Sequence, residues 1–243
     1  MALPATRLTR ACALTAALVA AWAGAAGAQA TPDRVVLGQV ALDRTEVTVG
    51  RFAAFVDATS LLTTAERSGG GNEWGAGWER RPGWTWRAPF GTPAADRLEP
   101  AVHVTWFEAR DFCAWAGGRL PTRDDWEGAG YTEQGQGAAG GFEIGRRYPY
   151  PTGESADGAN GAGHDPWPRH APAGATRLGI NGLFDMGGNV WEWLADRDAG
   201  QALTAGGSWW YGPAQMRADA MQWKPADFAV VYIGFRCAYE VNE

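Results

Sequence analysis

Residues 181–193, Asn-Gly-Leu-Phe-Asp-Met-Gly-Gly-Asn-Val-Trp-Glu-Trp, constrain this chain more than any other stretch. They crowd acidic and amide side chains, three glycines and two tryptophans into one short run. Asp185 and Glu192 are hard oxygen ligands. Gly187 and Gly188 let the backbone turn so that carbonyls can point the same way as those side chains. A cation such as calcium favours that mixture of carboxylate and carbonyl oxygens. Trp191 and Trp193 alternate with Val190 and Glu192, so at strand spacing one face is aromatic and the other carries the acid. The plainer reading is a glycine-rich turn leading into an amphipathic strand, with Glu192 in solvent.

The start of the chain reads as an address. Arg7 and Arg10, an apolar run from Ala11 to Ala23 and the Ala28-Gln29-Ala30 cleavage site form an export signal over residues 1–30. That run is too short for a permanent membrane helix, and Cys12 lies at its start, away from any lipoprotein cleavage site. The remainder, residues 31–243, is expected to be one periplasmic or secreted domain with no membrane span. The formal net charge of −6 becomes more negative once two arginines leave with the signal. Such a balance argues against non-specific nucleic-acid binding. With 34 glycines and 14 tryptophans, the composition suggests an irregular fold in which large aromatics fill space between loops. Cys113 and Cys237 remain after export. In an oxidising compartment they are a disulfide candidate, two separate buried thiols being the other possibility.

Local signals follow in order. Residues 35–42 read as a strand. Thr48 is a helix N-cap followed by Phe52, Phe55, Val56 and Thr59 at helical spacing. Residues 66–100, with Trp74, Trp78, Trp84 and Trp86, read as an ordered loop packed on the core, because disorder is poor in aromatics. Space-filling is the favoured use of these tryptophans over a ligand-stacking wall. Thr105 and Glu108 form a capping box, and Trp106, Ala109, Cys113 and Ala116 share the face of a helix that Gly117-Gly118 ends. Thr122 caps a further helix carrying Trp126. His103 is placed structurally at a strand end, and His164 and His170 are read as solvated loop histidines, without partners at metal spacing.

Residues 181–193 resemble the Gly-Leu-Tyr-Asp-Met-x-Gly-Asn-Val-Trp-Glu-Trp signature of the formylglycine-generating enzyme family, the sulfatase-modifying factors. Five further segments are similar to family hallmarks. They are residues 43–59, residues 82–91, residues 102–127, and the pair Gly206-Gly207-Ser208-Trp209 and Gly234-Phe235-Arg236-Cys237-Ala238. The resemblance runs from Val40 to Ala238. It implies an α+β, C-type-lectin-like fold with much irregular structure. It also implies a structural calcium held by Asp185, Gly188, Val190 and Glu192, the glycine and valine through backbone carbonyls, and a disulfide between Cys113 and Cys237. Ala159-Asn160 matches the start of a second calcium site, with Asp165 nearby.

In the family's enzymes two thiolates after Gly-Gly-Ser hold monovalent copper, soft donors for a soft ion. The matching positions here are Tyr211 and Met216, so that copper site is not expected. Trp191 and Ser208 match residues lining the oxygen pocket. Trp191, Ser208, Tyr211, Met216 and Arg217 are therefore the candidate cleft residues. Tyr211 is a candidate relay for a proton or electron, and Arg217 a candidate anchor for a substrate carboxylate. Exported branches of the family include siderophore-maturation proteins. The resemblance thus implies a maturation or oxidation factor acting on a peptide, a peptide-derived metabolite or a client protein. The alternative is a non-catalytic, lectin-like binding or accessory module using the same cleft.

Overall fold

The computed structural model describes residues 33–135, 140–163 and 165–241; residues 1–30, expected to be an export signal, and His164 lie outside this set. Residues 35–42 make a hairpin instead of one strand. Gly38, at φ +62°, turns the chain between β1 (Arg34–Leu37) and β2 (Val40–Asp43). A two-residue connection needs that positive φ, which glycine adopts without a Cβ clash.

Helix α1 (Val49–Thr59) starts at Thr48, whose hydroxyl accepts from Arg51 N at 3.2 Å, and it buries Phe52, Phe55 and Val56. A one-turn helix, α2 (Thr64–Arg67), follows. Residues 66–100 then divide. Trp86 enters the core, whereas Trp74 and Trp78 sit exposed on the hairpin β3 (Asn72–Trp74) and β4 (Trp78–Arg80). The space-filling reading holds for Trp86 and not for these two.

Helix α3 (Trp106–Trp115) carries the expected capping box, and the other oxygen of Glu108 accepts from Thr64 N at 2.6 Å, fastening α2 to it. Helix α4 (Arg123–Tyr131) is capped by Thr122 and Asp125 and buries Trp126. The remaining strands are β5 (Trp191–Asp198), β6 (Gln201–Ala205), β7 (Gln222–Pro225), β8 (Ile233–Gly234) and β9 (Ala238–Glu240). One sheet has the order β7-β6-β5-β8, with β8 parallel to β5. Another is β1-β2-β9, in which the chain end pairs with the opening hairpin.

The main core gathers Phe52, Trp86, Phe112, Trp191, Trp193 and Phe235. Cys113 and Cys237 form a disulfide across it, with Cα atoms 5.5 Å apart. This pins α3 to the segment entering β9. The first four residues of β5 are all buried, so the half-exposed strand with a solvated Glu192 is not what forms. Both faces are covered. Trp193 Nε1 donates to Val104 O at 3.0 Å, and Trp126 and Arg236 close over Glu192.

Candidate functional site

The residue pattern of the 181–193 run is a pattern of backbone demands. Asn181, Asp185 and Asn189 have φ of 56°, 60° and 55°, and Gly182 and Gly188 have φ of 71° and 83°. Asn, Asp and Gly are the residues that tolerate this left-handed region. A side chain on Gly188 would also strike the Asn160 carbonyl and meet the Met216 methyl at 3.1 Å. The folded turn delivers Trp191 and Glu192 to the start of β5, where successive side chains leave on opposite faces.

On the Glu192 face lies a dry, charged cluster. Arg236 donates to Glu192 through Nε and Nη2, each at 2.7 Å. Its remaining donors reach the carbonyls of Asp43, Arg44 and Phe184. Trp126 Nε1 donates to Glu192 Oε2 at 2.9 Å. Glu46 is also fully buried, accepting from Asn189 Nδ2 at 2.6 Å and Val190 N at 3.1 Å. The Asp185 carboxylate accepts from Gly174 N at 2.6 Å and from the Thr176 hydroxyl.

Three buried carboxylates thus face one guanidinium. Burial, then repulsion from Asp185 and Glu192, pushes the Glu46 carboxyl well above the usual range, and burial raises Asp185 as well. Among the described residues no group of three or more acidic, histidine or cysteine side chains is placed to hold a metal ion, and the expected ligands Asp185 and Glu192 accept from protein donors. Glu192 would serve a cation only while shared with Arg236. Asp165, near the second expected site, accepts from Gly161 N and Trp167 N, both at 2.8 Å, and so closes its own loop.

On the Trp191 face the chemistry differs. Trp191 is fully buried, yet its indole N–H has no partner, and the Trp209 indole N–H is likewise unpaired. Ser208 is buried, with its Oγ accepting from Trp210 N at 3.4 Å. Trp209 N donates to Asn189 O at 2.9 Å, which ties the Gly-Gly-Ser segment to the 181–193 turn. Half-buried Tyr211 stands edge-on to Trp191, with ring centroids 5.8 Å apart, and to Tyr232 at the same distance. The structure therefore brings Trp191, Ser208 and Tyr211 together.

Met216 and Arg217 behave differently from those three. Met216 is buried, with its methyl packed against the Gly161 and Gly188 backbone, as a core side chain. Arg217 is exposed, 5.8 Å from the Tyr150 ring and 3.3 Å from the Asp219 carboxylate.

Histidine placement also departs from expectation. His170 is buried and its Nε2 lies 2.9 Å from Glu99 Oε2, so it is not solvated. His103 is buried in a bend and not at a strand end; its Nε2–H donates to Pro89 O at 2.9 Å. Burial pulls its pKa down to about 4.

The sequence reading missed Glu46, Arg236 and Lys224. The first two lie inside the hallmark strings, where their charge was the available signal. Lys224 is the single lysine of the sequence; the remaining basic positions among its 21 Lys and Arg are all arginine. Its Nζ lies 4.5 Å from the Trp191 ring centroid.

The donor set at the family's copper positions is a phenol and a thioether, and both cysteines of the described residues are joined to each other. These residues do not fit a two-thiolate copper site.

The geometry defines a disulfide-pinned, turn-rich α+β scaffold with Trp191, Ser208 and Tyr211 gathered beside the 181–193 turn, and comparison with known proteins identifies its family. The sulfatase-modifying factor enzyme 1-like domain model matches residues 15–241. The formylglycine-generating enzyme of Thermomonospora curvata is 31% identical over 85% of this chain and 84% of its own length. The inactive C-alpha-formylglycine-generating enzyme 2 of Mus musculus is 35% identical over 66% of this chain and 56% of its own. Among solved structures, PvdO from Pseudomonas aeruginosa superposes with a TM-score of 0.62 at 21% identity, covering 83% of this chain and 80% of that one. This chain belongs to the sulfatase-modifying-factor family.

Proposed function

We propose that this protein is an exported maturation or oxidation factor. It acts on a peptide or peptide-derived substrate in the Trp191–Ser208–Tyr211 cleft by chemistry other than a copper dithiolate. The observation that carries the reading is the contrast within the cleft. Trp191 and Ser208 are kept in place with unpaired indole donors beside them, while the metal positions hold Tyr211 and Met216. Buried donors without partners are costly unless something else satisfies them. In this reading the Trp191 and Trp209 N–H groups and Ser208 orient the substrate, and Tyr211 holds or relays a proton. A structural calcium at Asp185, Gly188, Val190 and Glu192 neutralises the surplus acid and stiffens the turn that carries Trp191.

The test compares exported peptides from a strain lacking the gene, complemented with the natural chain or with Ser208→Ala. The expected result is a product that has lost two hydrogens or gained an oxygen only in the presence of the natural chain. The second reading, a non-catalytic binding module, is favoured by the absent thiols and by the likeness to an inactive family member. A peptide that co-purifies without any mass difference between the strains would select it and overturn the first.

A further inference from the structure

Beside the cleft lies a separate cavity of about 690 Å³, lined by none of Trp191, Ser208 and Tyr211. Its walls come from residues 154–167 and 175–177, with Tyr150 and Met216 among the residues that close it. The two segments run side by side. Arg177 N donates to Gly158 O at 3.0 Å, and a side chain on Gly158 would strike the Arg177 Cβ. Asp157, the chain neighbour of Gly158, is thereby held on the same wall as Arg177. Asp165 accepts from Trp167 N at 2.8 Å and so fixes the half-buried Trp167 in the lining. Ala162 N donates to Tyr211 O at 3.0 Å, which ties this wall to the segment that carries the cleft.

Most polar side chains of the cavity are already engaged. Glu154 pairs with Arg146, Asp165 takes the Gly161 and Trp167 N–H groups, and the Thr176 hydroxyl donates to Asp185. Asp157 and Arg177 are the charged side chains left over. Both are exposed, and among the described residues neither has an oppositely charged group within ion-pair distance. The cavity therefore offers an acceptor-only carboxylate, a donor-only guanidinium and the aromatic rings of Tyr150 and Trp167. Its volume is that of a cleft for a small organic ligand or part of a larger one.

We infer that this cavity binds a neutral sugar ring. A pyranose has a flat face of C–H groups and a rim of hydroxyls, each able to donate and to accept. The C–H face packs on an aromatic ring, while rim hydroxyls donate to Asp157 and accept from Arg177. The two free charges cancel. A net anion would be drawn to Arg177 and repelled by Asp157, and a net cation would meet the reverse. A purely apolar ligand would strip water from both charges and leave them unpaired. A free sugar and the end of a glycan chain share this chemistry.

The experiment is saturation-transfer NMR on the full mature chain, followed by titration. The probes are the methyl glycosides of glucose, galactose, mannose and N-acetylglucosamine. Methyl glucosaminide and methyl glucuronide serve as the cationic and anionic counterparts. At least one neutral glycoside is expected to receive saturation on its C–H face and to bind more tightly than both charged rings. Trp167→Ala and Asp157→Ala, both outside the hydrophobic core, should each weaken it about tenfold or more, the scale of one charge-assisted hydrogen bond, with unchanged melting. Asp157→Asn, which still accepts, should keep part of the affinity. Ser208→Ala, in the neighbouring cleft, should bind the sugar as the natural chain does. A trisaccharide ending in the preferred ring separates the two sources: tighter binding marks a glycan, equal binding a free sugar. No transfer to any neutral glycoside would overturn the inference, as would binding that survives both Trp167→Ala and Asp157→Ala. Tighter binding of the glucosaminide would replace the sugar by an organic cation. The strain comparison under Proposed function uses none of these probes, so the two readings fail separately.

Discussion

Glu192 and Trp191 are chain neighbours, yet the two faces of β5 they serve are built on opposite principles. Around Glu192 each oxygen of the carboxylate has a donor, and all the N–H groups of Arg236 have acceptors. Around Trp191 indole donors go unmatched, an ammonium has no counter-ion, and tryptophans stand in solvent. Glu192 is satisfied by protein donors, whereas the indole donors on the Trp191 side are not, and the strand's alternation keeps the two arrangements apart.

The sharpest way to break this comparison is to unpair the closed face. Arg236→Met strands Glu192 without its guanidinium and should cost roughly 3–5 kcal/mol, since an uncompensated buried charge is among the most damaging defects. Urea denaturation measures it, and a loss near zero would mean that Glu192 is not held as described. Cys113→Ser removes the bridge across the main core and should cost about 2–5 kcal/mol, with the natural chain falling to match it under reductant.

Acid should strain the scaffold through His103. Its folded pKa of about 4 lies below the ordinary histidine value of 6.5, so the unfolded chain binds the proton first. The stability His103 contributes is complete above pH 6.5 and is lost as the pH falls toward 4, by roughly 3 kcal/mol. His103→Asn, which suits the +57° φ at this position, should flatten that part of the profile. The raised acids Glu46 and Asp185 act with the opposite sign. Their stability is present when they are protonated and is lost as the pH rises through their folded pKa, so the profiles of the natural chain and His103→Asn should diverge most below pH 6.5.

Calcium sharpens the contrast further. At a concentration a hundredfold above its Kd it should stabilise the fold by about 2.7 kcal/mol. Asp185→Asn should lose that response while keeping its backbone conformation. Identical melting of the natural chain with calcium and with chelator would remove the ion from the account. The smallest effect belongs to Arg217→Ala. Exposed and paired with Asp219, it should alter neither melting nor the mass difference between the strains. A clear loss of that difference would place Arg217 in the site.

Much of the fold was legible before any coordinates. The three caps, at Thr48, Thr105 and Thr122, needed only local spacing, because a helix N-terminus is satisfied by residues within one turn of it. The Cys113–Cys237 bridge followed from a count and a resemblance. The hairpin at Gly38 was missed because one glycine within an apolar run reads equally well as a tolerated strand residue. His170 was misread because its partner, Glu99, is 71 residues away.

By itself, then, the sequence determined the family, the helix starts, the disulfide partners and the left-handed turn at 181–193. Each of these is local in the chain or carried by an unbroken string. Tertiary structure alone decided that Glu192 is dry and paired with Arg236, that Met216 packs while Arg217 pairs with Asp219 at the surface, and that Lys224 meets Trp191. Those outcomes depend on which distant segments cover a given face. Hydrophobic burial settles that for the chain as a whole, and no local pattern specifies it.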